Sequence, residues 1–151
     1  MKEIQTLSIM EKTLLLLEWE FFKPLASDEV ALIAARTGEV EYEAGEIIDP
    51  EGPTGSSLHI LVKGSVEILV DGRPFRRPGP GDGFGGTALL GRVVADEELR
   101  VLEPAHALVL SREEFERAVA DHPDFALACI RALFEAVRGQ RDLLPESGGE
   151  A

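Results

Sequence analysis

Eleven of the fifteen glycines fall between Gly45 and Gly91, and the segments in and just before that stretch alternate apolar with polar residues. Val40 and Tyr42 alternate with Glu39, Glu41 and Glu43; Leu58, Ile60 and Val62 with His59 and Lys63; Val66, Ile68 and Val70 repeat the pattern. A period of two belongs to strands with one buried face. Asp71-Gly72 supplies a tight hairpin turn, because both residues tolerate the positive φ such turns demand. Further strands are expected over Arg73–Arg76, Leu99–Leu102 and His106–Leu110. Short strands broken by Gly/Pro turns at intervals of roughly 7–12 residues predict a barrel or jelly roll rather than a parallel sheet.

Helical signals flank this middle. Leu7, Met10, Leu14 and Leu17 recur at helical spacing, and Ser27 before Asp28 and Glu29 reads as an N-cap with acid in the first turn, so helices are expected over about residues 6–19 and 28–36. Ser111-Arg112-Glu113-Glu114 has the spacing of a capping box, opening a short helix to about Ala120. Asp121-His122-Pro123 breaks it. Beyond the break, Phe125, Cys129, Ala132, Leu133, Ala136 and Val137 mark one face of a longer helix, with Leu127, Ile130 and Phe134 partly off it. That stripe is wider than a monomer's surface helix needs, and part of it is expected to meet another subunit.

The chain has 151 residues, enough for one domain that buries about 68–70% of its unfolded surface. At 44% hydrophobic and 28% charged it is neither a disordered polymer nor a membrane protein. Its longest early apolar run, Leu14 to Leu17, is far short of the roughly 18 residues a spanning helix needs. No membrane insertion and no secretory signal are expected. Fifteen Lys and Arg against 28 Asp and Glu give a net charge of −13, which repels phosphate backbones. Direct nucleic-acid binding is therefore not expected. The lone cysteine, Cys129, excludes a disulfide framework and a CxxC cluster, and the expected compartment is the cytoplasm.

The densest functional signal is Gly79-Pro80-Gly81-Asp82-Gly83-Phe84-Gly85-Gly86-Thr87-Ala88-Leu89-Leu90. Glycine lets backbone approach a ligand closely, and free N–H groups opening a short helix can hold a phosphate. The plainer reading is a loop between two strands. Around this segment the chain resembles the cyclic nucleotide-binding domain family over about residues 19–139. The resemblance runs through Tyr42 to Ile48, Gly52, Leu58 to Val66, Pro80-Gly81-Asp82, Phe84-Gly85, Ala88-Leu89-Leu90, Leu102-Glu103-Pro104 and Leu108 to Phe115. It implies a mainly β fold: an eight-stranded, jelly-roll-like β-roll with flanking helices and a ligand beside a short phosphate-binding helix. The expected layout is N-terminal helices over 1–37, the roll over 38–111 with its cassette at 79–95, C-terminal helices over 112–142, and a flexible tail over 143–151.

Two departures fall inside that cassette. The resemblance implies a glutamate after Phe-Gly that accepts from the ribose 2′-hydroxyl, and Gly86 stands there. It also implies an arginine about nine residues later to pair with the cyclic phosphate, and the spacing puts Ala95 at that position, followed by Asp96, Glu97 and Glu98. An arginine–phosphate pair is a charge-assisted fork. Losing one partner of such a buried pair costs roughly 3–5 kcal/mol, or two to four decades of affinity. Weak or lost cyclic AMP binding is expected. Arg92, about three residues early in register, is the alternative phosphate partner, with backbone amides of Gly85 to Ala88 as the rest of the cradle. Thr87 offers a hydroxyl that serves equally as a helix cap.

Phe84, Gly85, Gly86, Thr87, Ala88, Leu89, Arg92 and Ala95 are therefore the candidate ligand residues. No catalytic or metal-binding set is expected. His59, His106 and His122 are scattered without ligand spacing, the first two reading as outward strand residues. Cys129 reads as a small buried hydrophobe, Ser111 as a cap rather than a nucleophile, and Arg100 as an outward partner for nearby acids. The expected function is a regulatory, non-catalytic module without a resident cofactor. Its expected partners are a cyclic nucleotide or other small ligand at the cassette, and a second copy or another protein on the C-terminal helix. A metal-dependent jelly-roll enzyme is the remaining class.

Overall fold

The computed structural model describes residues 1–19, 22–49, 52, 54–55, 57–86 and 96–143. Its strands are β1 (Lys2–Ile4), β2 (Gly38–Tyr42), β3 (Ile47–Ile48), β4 (Ser57–Val70), β5 (Arg73–Arg76), β6 (Gly83–Phe84) and β7 (Glu97–Ser111). Its helices are α1 (Ile9–Leu17), α2 (Ser27–Ala34), α3 (Arg112–Asp121) and α4 (Pro123–Leu143). The strands form one sheet in the order β1-β2-β7-β4-β5, with β3 also on β7 and β6 also on β4, and every pairing is antiparallel.

The expected eight-stranded closed roll is corrected by this topology. Among the described residues there are seven strands, and the sheet is open: β1 and β5 sit at opposite ends of its path. Closing a barrel requires the edge strands to meet in register, and here they do not pair. The strand count falls because two pairs of expected strands fuse. Leu58–Val62 and Val66–Val70 join into the 14-residue β4, and Leu99–Leu102 and His106–Leu110 into the 15-residue β7. The two long strands stay paired from Ser57↔Ser111 to Val70↔Glu97, with register shifts between Leu61 and Val66. Gly64 makes that irregularity: its φ is +88°, and a Cβ there would lie 2.3 Å from the Pro104 carbonyl oxygen.

The irregularity divides the core. Leu58, Ile60, Leu108 and Leu110 pack with Leu16, Phe22, Val30, Ile33, Phe125 and Cys129 on the helical side. Val40, Tyr42, Leu61, Val66, Ile68, Phe84, Leu99 and Val101 fill the other side of the sheet. The first half of β4 is thus buried on both faces, which places His59 inside rather than outward as its alternation implied.

The helix ends follow their sequence signals in part. Glu11 N–H donates to Ser8 Oγ and the Glu11 carboxylate accepts from Ser8 N–H, a capping box that starts α1 later than the expected residue 6. Ala26, not Ser27, is the N-cap of α2. Glu114 N–H donates to Ser111 Oγ at 3.1 Å, so α3 begins where its cap predicts. The turn at Asp71-Gly72 has φ of 54° and 77° as anticipated. Among the described residues no helix is long and apolar enough to cross a membrane. Residues 144–151, most of the expected tail, lie outside the described ones.

Candidate functional site

The start of the cassette is fixed by β6. Gly83 and Phe84 pair with Ile60 and His59 of β4, and both are buried. A Cβ at Gly83 would meet the Trp19 ring at 2.7 Å, so the residue before Phe84 is held under the end of α1. Gly85 has φ +84°, and a Cβ there would sit 2.5 Å from the Ser57 carbonyl oxygen, so the chain must be glycine at this point. Gly86 differs. Among the described residues nothing lies within 4 Å of a Cβ built on it, and its φ is not in the left-handed region. Thr87, Ala88, Leu89, Arg92 and Ala95, the rest of the candidate ligand set, lie outside the described residues.

The acids that follow Ala95 are placed. Asp96 sits in a turn with φ 58°, its carbonyl accepting from Asp71 N–H at 3.1 Å. Burial raises the Glu97 carboxyl above its ordinary value, and Glu98 accepts from Arg100 Nε at 3.0 Å. Arg100 is thus an outward partner of a neighbouring acid, as its position in the strand implied.

Beneath the cassette lies a group the sequence did not reveal. The His59 ring stacks on Phe84 with centroids 4.7 Å apart and planes 11° from parallel. Its Nε2 is 2.8 Å from Tyr42 Oη, and its Nδ1 is 3.2 Å from the Ser57 carbonyl. Tyr42 Oη is also 2.7 Å from Thr54 Oγ1. His59 is 1% exposed, and burial pulls its pKa from 6.5 down to about 4, so the imidazole is neutral. Burial also raises the Tyr42 hydroxyl. The alternation of β4 pointed His59 outward; only the double burial of that half-strand, invisible in one sequence, turns it in.

A second polar group sits on the opposite face of β2. Glu39 accepts from Thr6 N–H (3.0 Å), Thr6 Oγ1 (2.7 Å), Leu7 N–H (2.9 Å) and His106 Nε2 (3.0 Å). Burial alone would raise its pKa, but these donors outweigh it and hold the carboxyl at about 2. His106, also expected outward, is half-buried as one of those donors. His122 lies at the C-cap of α3, and no three His, Cys, Asp or Glu side chains gather as a metal site among the described residues. Cys129 is buried, and burial, with Glu29 nearby, pushes its thiol up to about 11.

Two open clefts adjoin the sheet. One of about 750 Å³ is lined by Lys2, Glu41, Lys63, Pro104 and His106, the other of about 680 Å³ by Lys12, Thr37, Thr54, Ser57 and Glu114. Neither is lined by Phe84, Gly85 or Gly86. On α4, Phe125, Ala128, Cys129 and Ala132 are buried, whereas Leu127, Ile130, Leu133 and Phe134 are 44–67% exposed. Leu133, expected on the inner face, is outside it. The side chains of Ala136 and Val137 are not described.

The family model for the cyclic nucleotide-binding domain matches residues 39–122, which run from β2 through the cassette to the end of α3. The chain belongs to that family. Among curated relatives, the HTH-type transcriptional regulator Cmr of Mycobacterium tuberculosis (strain CDC 1551 / Oshkosh) is 29% identical over 118 residues, covering 76% of this chain and 48% of that protein. The chain spans about half or less of the curated relatives it matches. Among solved structures, the N-terminal domain of a transcriptional regulator from Streptomyces coelicolor A3(2) aligns with a TM-score of 0.72 at 23% identity, covering 87% of this chain and 97% of that one. The catabolite activator protein of Thermus thermophilus aligns at 0.62 and 26%, covering 82% and 60%.

Proposed function

We propose that this chain is a non-catalytic regulatory module of the cyclic nucleotide-binding family in which cyclic AMP binding is weak or lost, and which acts through protein contacts. Relatives named as transcriptional regulators support a signal-sensing role for the whole. The observation that carries the finer reading is Gly86. Among the described residues nothing lies within 4 Å of a Cβ built on it, so packing against them does not require glycine. A glycine there offers no carboxylate to accept from a ribose hydroxyl. The polar groups beside the cassette also satisfy one another, and among the described residues no buried side-chain nitrogen or oxygen lacks a partner. The exposed apolar residues of α4 supply the contact surface for a second copy or another protein.

Isothermal titration with cyclic AMP and cyclic GMP at about 100 µM protein tests the first part, and no saturable heat is expected. Micromolar binding would overturn it and favour Arg92 as the phosphate partner. Restoring both groups with Gly86→Glu and Ala95→Arg is expected to raise cyclic AMP affinity far more than either change alone, because the two contacts hold different parts of one ligand. A folded double variant with unchanged affinity would refute the register assigned to the cassette. For the contact role, light scattering that shows a monomer at high concentration, with no partner in a pull-down, would count against α4.

A further inference from the structure

We propose that His59 is a positioning residue for the cassette, and that Thr54 and Tyr42 form the hydrogen-bonded chain through which the turn holding Thr54 sets it. The inference rests on reading Phe84 to Ala95 as the cassette, but its test requires no ligand. A carbonyl oxygen only accepts, so His59 Nδ1 must donate to Ser57 and carry the ring's single proton. Nε2 then accepts from Tyr42 Oη–H. Tyr42 has spent its one donor, so Thr54 Oγ1–H must donate to Tyr42. The chain therefore has one direction: Thr54 to Tyr42 to His59 to Ser57.

Both ends of this chain sit where they can act. At the cassette end, His59 lies opposite Phe84 in the β4–β6 register and stacks against its ring. The Ser57 oxygen that takes the imidazole proton is the atom Gly85 packs upon, too close to admit a Cβ. One residue thus touches the side chain before the cassette's turn and the carbonyl under it. At the other end, Thr54 belongs to a turn closed by Gly55 N–H to the Gly52 carbonyl at 3.1 Å and Ser57 N–H to the Thr54 carbonyl at 3.2 Å. Thr54, like Ser57, also lines the cleft of about 680 Å³. Apolar residues at 42 and 59 would fill the same volume. A fully satisfied polar chain instead selects one arrangement of the turn and the cassette together.

Amide hydrogen exchange and imidazole ¹⁵N shifts of the full chain, without ligand, test this. Thr54→Val removes the first donor at a half-buried site. It is expected to speed exchange at Gly85 and Gly86 about fivefold, and Tyr42→Phe about tenfold, while Val101 and Ala107 stay within about twofold. The wild-type His59 shifts are expected to show the proton on Nδ1. Exchange at Gly85 and Gly86 unchanged in both variants, a uniform change at all amides, or the proton found on Nε2 would each overturn the inference. Failure of the Gly86→Glu, Ala95→Arg repair would refute the ligand register alone and leave these readouts standing.

Discussion

Glu39 and Tyr42 stand three residues apart on β2, and each anchors a buried polar group on an opposite face of the sheet. On one face four donors converge on a carboxylate and keep it charged at a site 1% exposed. On the other, burial wins and the imidazole stays neutral. The difference lies in what surrounds each group. Glu39 receives two backbone N–H groups from the arm that leads from β1 into α1, donors that only an anion repays in full. His59 faces an aromatic ring, a hydroxyl and one carbonyl, which a neutral ring with one donor and one acceptor completes. The charged group fastens the N-terminal arm; the neutral one underlies the cassette.

The strongest way to break this contrast is Glu39→Ala. It leaves the Thr6 and Leu7 N–H groups without their acceptor and is expected to cost about 3–5 kcal/mol in urea unfolding, with β1 leaving the sheet edge. A loss under about 1 kcal/mol would mean that the arm is held by its ladder to β2 instead.

Acid separates the two groups by pH. His59 has a folded pKa of about 4 against 6.5, so between those values the unfolded chain holds a proton that the folded chain refuses, and stability falls as pH falls through that window. Glu39 has about 2 against 4.5, and its contribution, complete above 4.5, is lost as pH drops from there toward 2. At 1.36 kcal/mol per unit each limb amounts to about 3 kcal/mol. Stability measured from pH 7 to 2 should fall in two overlapping limbs. His59→Phe should remove the upper one and Glu39→Gln the lower; a single limb that survives both variants would locate the titration elsewhere.

The adjacent glycines sharpen the picture at the cassette itself. Gly85→Ala places a methyl 2.5 Å from the Ser57 oxygen at φ +84° and should cost about 2–3 kcal/mol, whereas Gly86→Ala should change stability by less than about 1 kcal/mol in either direction. Equal effects at the two positions would show that Gly86 is structural, and would remove the argument that packing does not require glycine there.

These groups also mark where the sequence was readable. The hairpin at Asp71-Gly72, the strand Arg73–Arg76 and the cap at Ser111 are local, and each was legible from a few neighbouring residues. The fusion of strands was not, because it depends on Gly64 approaching Pro104 forty residues away. His59 and Glu39 carry polar residues at positions whose alternation points to solvent. Their faces are covered by β6 and by the N-terminal arm, and no local period records that cover. The segment from Phe84 to Ala95 was read as a cassette, and Gly86 as a departure from its motif, on resemblance alone. That no described residue lies within 4 Å of a Cβ at Gly86 was legible only in three dimensions.

The smallest expected effect tests whether exposure is what separates strong from weak polar contacts here. Arg36, just past α2, reaches Glu114 at 3.3 Å and Asp121 at 3.2 Å and so ties α2 to both ends of α3. Its partners are a third or more exposed, and water screens the attraction that Glu39 feels in full. Arg36→Ala should therefore cost about 0.5–1 kcal/mol, and that cost should shrink in about 1 M salt, where the Debye length is near 3 Å. The cost of Glu39→Ala should hardly move under the same salt, because the carboxylate itself is covered and its bonds are short. If the two substitutions lost the same fraction of their effect in salt, the Glu39 site would be open to water, and the carboxylate could not be what fastens the arm.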